Sequence, residues 1–168
     1  MRGIAPFTVI VAEEIITPDG EIMGMFLEET IPSGLEVKEA ISRIRAQGGL
    51  VCLPHPFDML RGSALRNDMI EEIAEEIDIV EVFNSRIFFP QNSAKALAFA
   101  KKYGIPKSAG SDAHTIREIG NAYVEMPEFN GKDDFIQALE KGKISGHMTN
   151  PFVHFASAWT KLRKRRRG

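Results

Sequence analysis

The chain has 168 residues and a mass of 18.7 kDa, enough for one domain with a buried core and too few for two of ordinary size. Apolar residues make up 43% and charged residues 26%, which excludes wholesale disorder and fibrous repeats. No apolar run approaches the roughly 20 residues of a membrane helix. No signal-peptide pattern opens the chain, and the single cysteine, Cys52, fits a reducing compartment. A cytoplasmic protein without membrane contact is expected.

The net charge of −2 hides an asymmetry. Six of the 21 basic residues (Lys161, Arg163, Lys164, Arg165, Arg166 and Arg167) crowd the last eight positions, leaving 15 basic against 23 acidic residues in 1–160. The expected organisation is one domain over 1–160 and a solvated, disordered tail over 161–168. Such a tail suits nucleic acid or another polyanion. The acidic body suits cations.

In chain order, the β-branched and aromatic run FTVIVAEEI (7–15) predicts a strand. The turn Pro18-Asp19-Gly20 predicts a hairpin back along GEIMGMFLE. Val37, Ile41 and Ile44 lie at helical spacing within 35–47, ended by Gly48-Gly49. LVCLPHP (50–56) reads as a strand, and Asn67 as the cap of a helix with Met69, Ile70, Ile73 and Ile77 as its stripe. Another strand is expected at 77–84, a helix at 92–103 ended by Gly104, and a strand running into a loop over 105–114. A strand over 121–126, a helix over 131–141 and an extended piece over 143–146 follow. Asn150-Pro151 predicts a last helix with Phe152, Phe155, Ala156 and Trp159 buried.

Alternating strands and helices predict parallel strands with right-handed crossovers, in a barrel or open sheet, with the first hairpin as the exception. A full eight-unit barrel takes about 250 residues, more than this chain holds. In such folds ligands bind at the carboxyl ends of the strands. The first predicted strand ends at Glu13-Glu14, the second at His55, the third at Asn84-Ser85-Arg86 beyond Glu81, and the fourth at Gly110-Ser111-Asp112-Ala113-His114. Asp112 and His114, two apart, share a side in an extended backbone and can share an ion. Carboxylate with imidazole suits Zn, Mn or Fe, which would activate water and polarise a phosphoryl oxygen. Arg61 and Arg86 are candidate anion clamps, with Asn84 and Ser111 as phosphate-capable neighbours. Each residue also has a plainer reading: His55 as a structural hydrogen bonder, Glu13 and Glu14 as solvated acids. His147 and His154 fall outside the rim pattern. It is the convergence on one edge that favours a site.

Four segments, Glu-Ile-Ile-Thr-Pro-Asp-Gly (14–20), Leu-Pro-His-Pro-Phe-Asp (53–58), Glu-Val-Phe-Asn-Ser-Arg (81–86) and Ala-Gly-Ser-Asp-Ala-His (109–114), resemble in order the later motifs of the PHP (polymerase and histidinol phosphatase) family. The resemblance runs from about Phe7 to Pro151. It implies a distorted seven-stranded (β/α) barrel, up to three metals and phosphoester hydrolysis. It also implies that Glu14 bridges metals and that His55, Asp112 and His114 are ligands, with Asp112 and His114 catalytic. Asn84 and Arg86 would line the substrate mouth. Motif register favours Glu14 over Glu13.

The family's opening His-x-His and Thr-Asp-His motifs are absent from this sequence. The expectation is therefore a partial α/β barrel of the TIM type lacking its first two βα units, with exposed sheet edge, one or two divalent metals, and completion by a longer protein, a separate N-terminal half or a homodimer. The leading reading is a metal-dependent phosphoesterase acting on a nucleotide, an oligonucleotide end or a small phosphate ester. The alternatives are a non-catalytic metal- or phosphate-binding module, a nucleic-acid binder working through the tail, and a different metal-dependent hydrolase barrel.

Overall fold

The computed structural model of the protein describes residues 5, 7–87 and 89–149. The predicted last helix with Phe152, Phe155, Ala156 and Trp159, His154 and the basic tail lie outside the described residues.

Strand β1 (Ala12–Thr17) and strand β2 (Gly20–Met25) form a hairpin around Pro18-Asp19. The turn is held by the Thr17 hydroxyl donating to the Gly20 carbonyl at 2.6 Å and by the Asp19 N–H donating to Thr17 Oγ1 at 3.2 Å. Helix α1 (Val37–Ala46) follows, with Val37, Ala40, Ile41 and Ile44 on its buried stripe, then strand β3 (Leu50–Leu53). Helix α2 (Asn67–Glu72) leads to strand β4 (Ile79–Asn84). Helix α3 (Pro90–Tyr103), opened by a proline whose missing N–H needs no partner there and closed by Gly104 in left-handed geometry, leads to strand β5 (Lys107–Gly110). Strand β6 (Ala122–Glu125), helix α4 (Lys132–Glu140) and strand β7 (Lys143–Gly146) complete the order.

The main sheet has the order β1-β2-β3-β4-β5, and β6 and β7 pair separately as an antiparallel ribbon. β3, β4 and β5 are parallel, as alternation predicts. The β1–β2 and β2–β3 pairs are antiparallel, so β2 alone runs against the other four strands. Among the described residues the result is a mixed α/β fold with a five-stranded sheet and four α-helices. No described helix is long and apolar enough to cross a membrane.

Two predicted boundaries are corrected. The first strand lies at 12–17 rather than 7–15, because the two-residue turn dictates that it end at Thr17 opposite Gly20. Asn67 is the first helical residue of α2 rather than its cap; Arg66 precedes it in extended geometry. The outer edge of β1 is also less bare than expected. The Gly34 N–H donates to the Ile16 carbonyl at 2.7 Å, and the Ile31 N–H to Glu13 Oε2 at 3.0 Å.

Strand alternation divides the core between the two faces of the sheet. Ile15, Ile22, Val51, Leu53 and Val80 pack with α1, α2 and α3. Leu50, Cys52 and Ile79 pack with Phe135 and Leu139 of α4. Each fully buried valine or leucine side chain contributes roughly 1.5–3 kcal/mol, so this double-sided burial holds the central strand β3 firmly. The rim at its end is therefore set on a rigid scaffold. Burial, with the Glu81 carboxylate nearby, pushes the Cys52 thiol far above its usual range, which makes it a protonated core residue rather than a nucleophile.

Candidate metal centre

Because β1, β3, β4 and β5 run the same way, their carboxyl ends share one rim, joined there by the beginning of the reversed strand β2. Lateral register puts Glu14 opposite Met23 and Met23 opposite Cys52, on one face of the sheet. Glu14 lies inside β1 rather than at its end, a consequence of the shifted strand. Glu13 alternates to the other face, where it accepts the Ile31 N–H.

Glu14, Glu21 and His55 form one cluster, each offering a donor atom within 4.8 Å of the others. His55 Nε2 is 3.5 Å from Glu21 Oε2 and 3.7 Å from Glu14 Oε1. The His55 side chain is 1% exposed, yet neither ring nitrogen completes a hydrogen bond among the described residues. Leaving a buried polar group unpaired costs about 1–3 kcal/mol, so a native ring in this state points to a partner that the described residues do not supply. Two donors on one ion, each about 2.1 Å from it, stand about 3.0–3.4 Å apart. The two distances from His55 Nε2 need to contract by only a few tenths of an ångström. One imidazole and two carboxylates are a donor set that Zn, Mn or Fe accepts. The residues fit a divalent ion.

Reading the sequence alone missed Glu21. Its position beside the turn glycine looks like ordinary turn polarity, and only the hairpin brings the start of β2 level with the end of β3. The backbone adds a further sign, since His55 and Asp112 are non-glycine residues with positive φ, 29° and 48°. Such conformations collect at functional sites because packing and hydrogen bonds must enforce them.

Asp112 and His114 stand apart from the three-residue cluster. Asp112 is not extended as predicted; its left-handed backbone turns the chain after β5. The His114 ring still lies beside it, with Nδ1 2.9 Å from the Asp112 carbonyl and 3.7 Å from its carboxylate. Arg61 pairs with the Asp112 carboxylate, reaches Asn84 Oδ1 at 3.4 Å, and lies 3.5 Å from the fully buried Asp58. Arg86 is buried and pairs with Glu118, and its N–H donates to Asn84 Oδ1 at 2.9 Å. The Ser111 carbonyl accepts the Ser85 hydroxyl at 2.7 Å. In this structure, then, both candidate anion clamps are engaged with protein carboxylates.

Two glutamates support the rim, Glu118 buried and Glu81 half-buried. Glu118 accepts the His114 N–H at 3.1 Å and the Thr115 hydroxyl at 2.9 Å as well as the Arg86 guanidinium. Burial pushes its carboxyl up, but those donors together hold it below the usual carboxylate range. The Thr115-x-x-Glu118 spacing, a capping pattern, was the available sequence signal. Glu81 Oε2 accepts the His55 N–H at 2.7 Å and Asn84 Nδ2 at 3.0 Å. Burial holds its carboxyl above the usual range against the pull of Asn84 and His55. A continuous path of hydrogen bonds thus runs from His55 through Glu81, Asn84 and Arg61 to Asp112. Below the rim, a cavity of about 430 Å³ opens on the same sheet face, lined by Cys52, Glu81, Ser108 and Ser111 and by Tyr123 and Phe135.

Comparison with known proteins adds the following. The chain is 46% identical over 124 residues to the uncharacterised protein MJ0417 of Methanocaldococcus jannaschii, a match covering 72% of this chain and 52% of that protein. It is 43% identical over 77 residues to the uncharacterised protein MJ1587 of the same organism, covering 46% and 43%. The chain thus spans about half the length of the curated relatives it matches. Among solved structures it resembles a two-domain Bacteroides vulgatus protein containing a predicted PHP-like metal-dependent phosphoesterase. That likeness has a TM-score of 0.60 at 18% identity, over 82% of this chain and 44% of that one. It also resembles PsfC from Pseudomonas syringae, with a TM-score of 0.56 at 14% identity, over 92% and 65%. These likenesses concern the fold. Residues 90–144, from α3 to β7 and including Asp112 and His114, match the PHP-associated family PHP_C. On that match, residues 90–144 form a PHP-associated C-terminal region.

Proposed function

We propose that this chain supplies the metal-binding rim of a PHP-type phosphoesterase, built on part of a distorted (β/α)7 barrel. The observation that carries the reading is His55, a buried imidazole whose Nε2 faces two carboxylates and whose ring nitrogens complete no hydrogen bond among the described residues. Glu14, Glu21 and His55 would hold one divalent ion (Zn, Mn or Fe), and Asp112 and His114 would complete that site or a second one. When bound, such an ion supplies Lewis-acid chemistry, activating water and neutralising charge on a phosphoryl oxygen.

The chain's own residues do the rest. Arg61 would exchange its pairing with Asp112 for a phosphate, clamped through paired hydrogen bonds, and Arg86, Asn84 and Ser111 would line the same mouth. His114, the more exposed of the two rim histidines, would move a proton to or from the ester oxygens in the arrangement where Asp112 alone completes the metal site. Substrates of the proposal are nucleotides, oligonucleotide ends or small phosphate esters. The matched region is about half of each curated relative. Further ligands from another segment, a separate N-terminal chain or a second copy therefore belong to the proposal.

The test is phosphate release from p-nitrophenyl phosphate, nucleoside monophosphates and end-phosphorylated oligonucleotides, with Mn2+, Zn2+ or Fe2+ supplied. Turnover that needs the metal and disappears in Asp112→Ala, His114→Ala supports the reading. Turnover that is the same without metal, or in that variant, contradicts it.

A further inference from the structure

We infer that Glu81 is a positioning residue of this centre: it fixes His55 through the backbone and is not itself a metal ligand. The inference rests on the metal reading above and adds to it the device that aims the histidine. His55 adopts a φ of 29°, which an L-residue keeps only when its surroundings enforce it. The enforcing contact is its own N–H, which donates to Glu81 Oε2 at 2.7 Å. Asn84 donates to the same oxygen at 3.0 Å. The Glu81 carboxylate oxygens do not belong to the Glu14, Glu21 and His55 donor set.

The fold makes a seat for this carboxylate. The β4–β5 register slips between Glu81 and Phe83, an irregularity of the kind that re-aims a side chain. Beside the carboxylate stands Gly110, where an added Cβ would collide with Glu81 Oε1. The backbone of Gly110 is not in the left-handed region. Its lack of a side chain therefore answers to Glu81 rather than to a turn. Outer partners of metal ligands, when removed, typically weaken metal affinity about 10- to 100-fold. Here the outer partner grips the ligand's backbone.

The experiment compares wild type with Glu81→Gln, Glu81→Ala, Gly110→Ala and the double variant Glu81→Ala, Gly110→Ala. Two readouts are taken: hydrogen exchange of the His55 backbone amide without metal, and Mn2+ affinity with the Co2+ ligand-field spectrum. Glu81→Gln keeps a carbonyl oxygen for the His55 N–H, so it should stay within about threefold of wild type in affinity and keep the Co2+ spectrum. Glu81→Ala and Gly110→Ala should each expose the His55 amide to exchange and weaken Mn2+ binding roughly tenfold or more. In the double variant, Gly110→Ala should add nothing, because the clash has gone.

A folded Glu81→Ala with a protected His55 amide and unchanged affinity overturns the inference. So does a Glu81→Gln variant that loses metal and the Co2+ spectrum outright, since that behaviour marks a ligand. If Glu81→Ala does not fold, Glu81→Gln and Gly110→Ala decide by the same criteria. Absence of metal binding in wild type would fail the metal reading alone, and the amide exchange would still settle what Glu81 does for His55.

Discussion

Across the antiparallel pair of β2 and β3, the His55 imidazole faces the Glu21 carboxylate at 3.5 Å, buried and without a completed hydrogen bond. The contact joins a turn-end acid to a histidine between two prolines. It gives the rim its chemical character, because an imidazole beside two carboxylates is a donor set that a divalent ion accepts.

His55→Met follows directly. The replacement fills a similar volume and removes two buried polar atoms that have no hydrogen-bond partner among the described residues, so little folding energy depends on them. Urea unfolding without metal should stay within about 1 kcal/mol of wild type, while Mn2+ binding is lost. A stability loss of about 3 kcal/mol or more would show instead that the ring holds the core together.

Arg61 contributes to folding as well as to the proposed phosphate site. Asp58 is fully buried, and Arg61 is the cation beside it as well as beside Asp112. Removing one member of a buried ion pair leaves an uncompensated charge, so Arg61→Met should destabilise by roughly 3–5 kcal/mol. Arg66, whose pairs with Asp19 and Asp68 are solvent-exposed on the arginine side, is the control. Arg66→Met should leave the urea midpoint unchanged within error. Equal effects of the two substitutions would contradict the burial argument.

Glu118 links stability to pH. Its folded carboxyl lies below the usual range, so its contribution is present above the unfolded pKa of about 4.3. The contribution disappears as pH falls through the folded value. Glu118→Gln should therefore differ most from wild type above about pH 5, with the gap narrowing toward pH 3. A gap that stays constant over that range, in urea unfolding, would mean that the carboxylate charge plays no part.

The turn that positions Glu21 depends on Gly20. Its φ is +127°, and a Cβ there would lie 2.5 Å from the Leu65 Cα. Strain and backbone collision together predict a loss of roughly 3 kcal/mol for Gly20→Ala. Gly34, at φ +85° with nothing within 4 Å, should lose only about 1 kcal/mol. Thermal unfolding of the two variants distinguishes collision from strain, and similar losses would reject the close packing of residues 64–65 on the hairpin.

Much of the fold is legible because its strands and helices are locally consistent. The run Leu50–Leu53, the glycine stop at Gly104 and the hairpin at Pro18-Asp19 all appear where their residue chemistry puts them. The misplaced first strand has a plain cause. Phe7 to Val11 is as apolar as a strand, but the turn dictates which residues pair, and Phe7 is left 71% exposed. The rim itself follows from parallel topology, which brings Glu14 and His55 together. Glu21 was hidden because only the antiparallel return of β2 raises it to that edge. The backbone turn at Asp112 was hidden because a two-residue spacing says nothing about φ. The engagement of Arg61 and Arg86 by Asp112 and Glu118 depends on contacts between distant segments that no local pattern records.

The most direct measurement is equilibrium dialysis of the purified chain against Mn2+, alongside the double variant Glu14→Gln, Glu21→Gln. The account predicts saturable binding of about one equivalent or more by wild type, and at least a roughly tenfold weaker affinity in the variant. No saturable binding by wild type, or equal binding by both proteins, would contradict it.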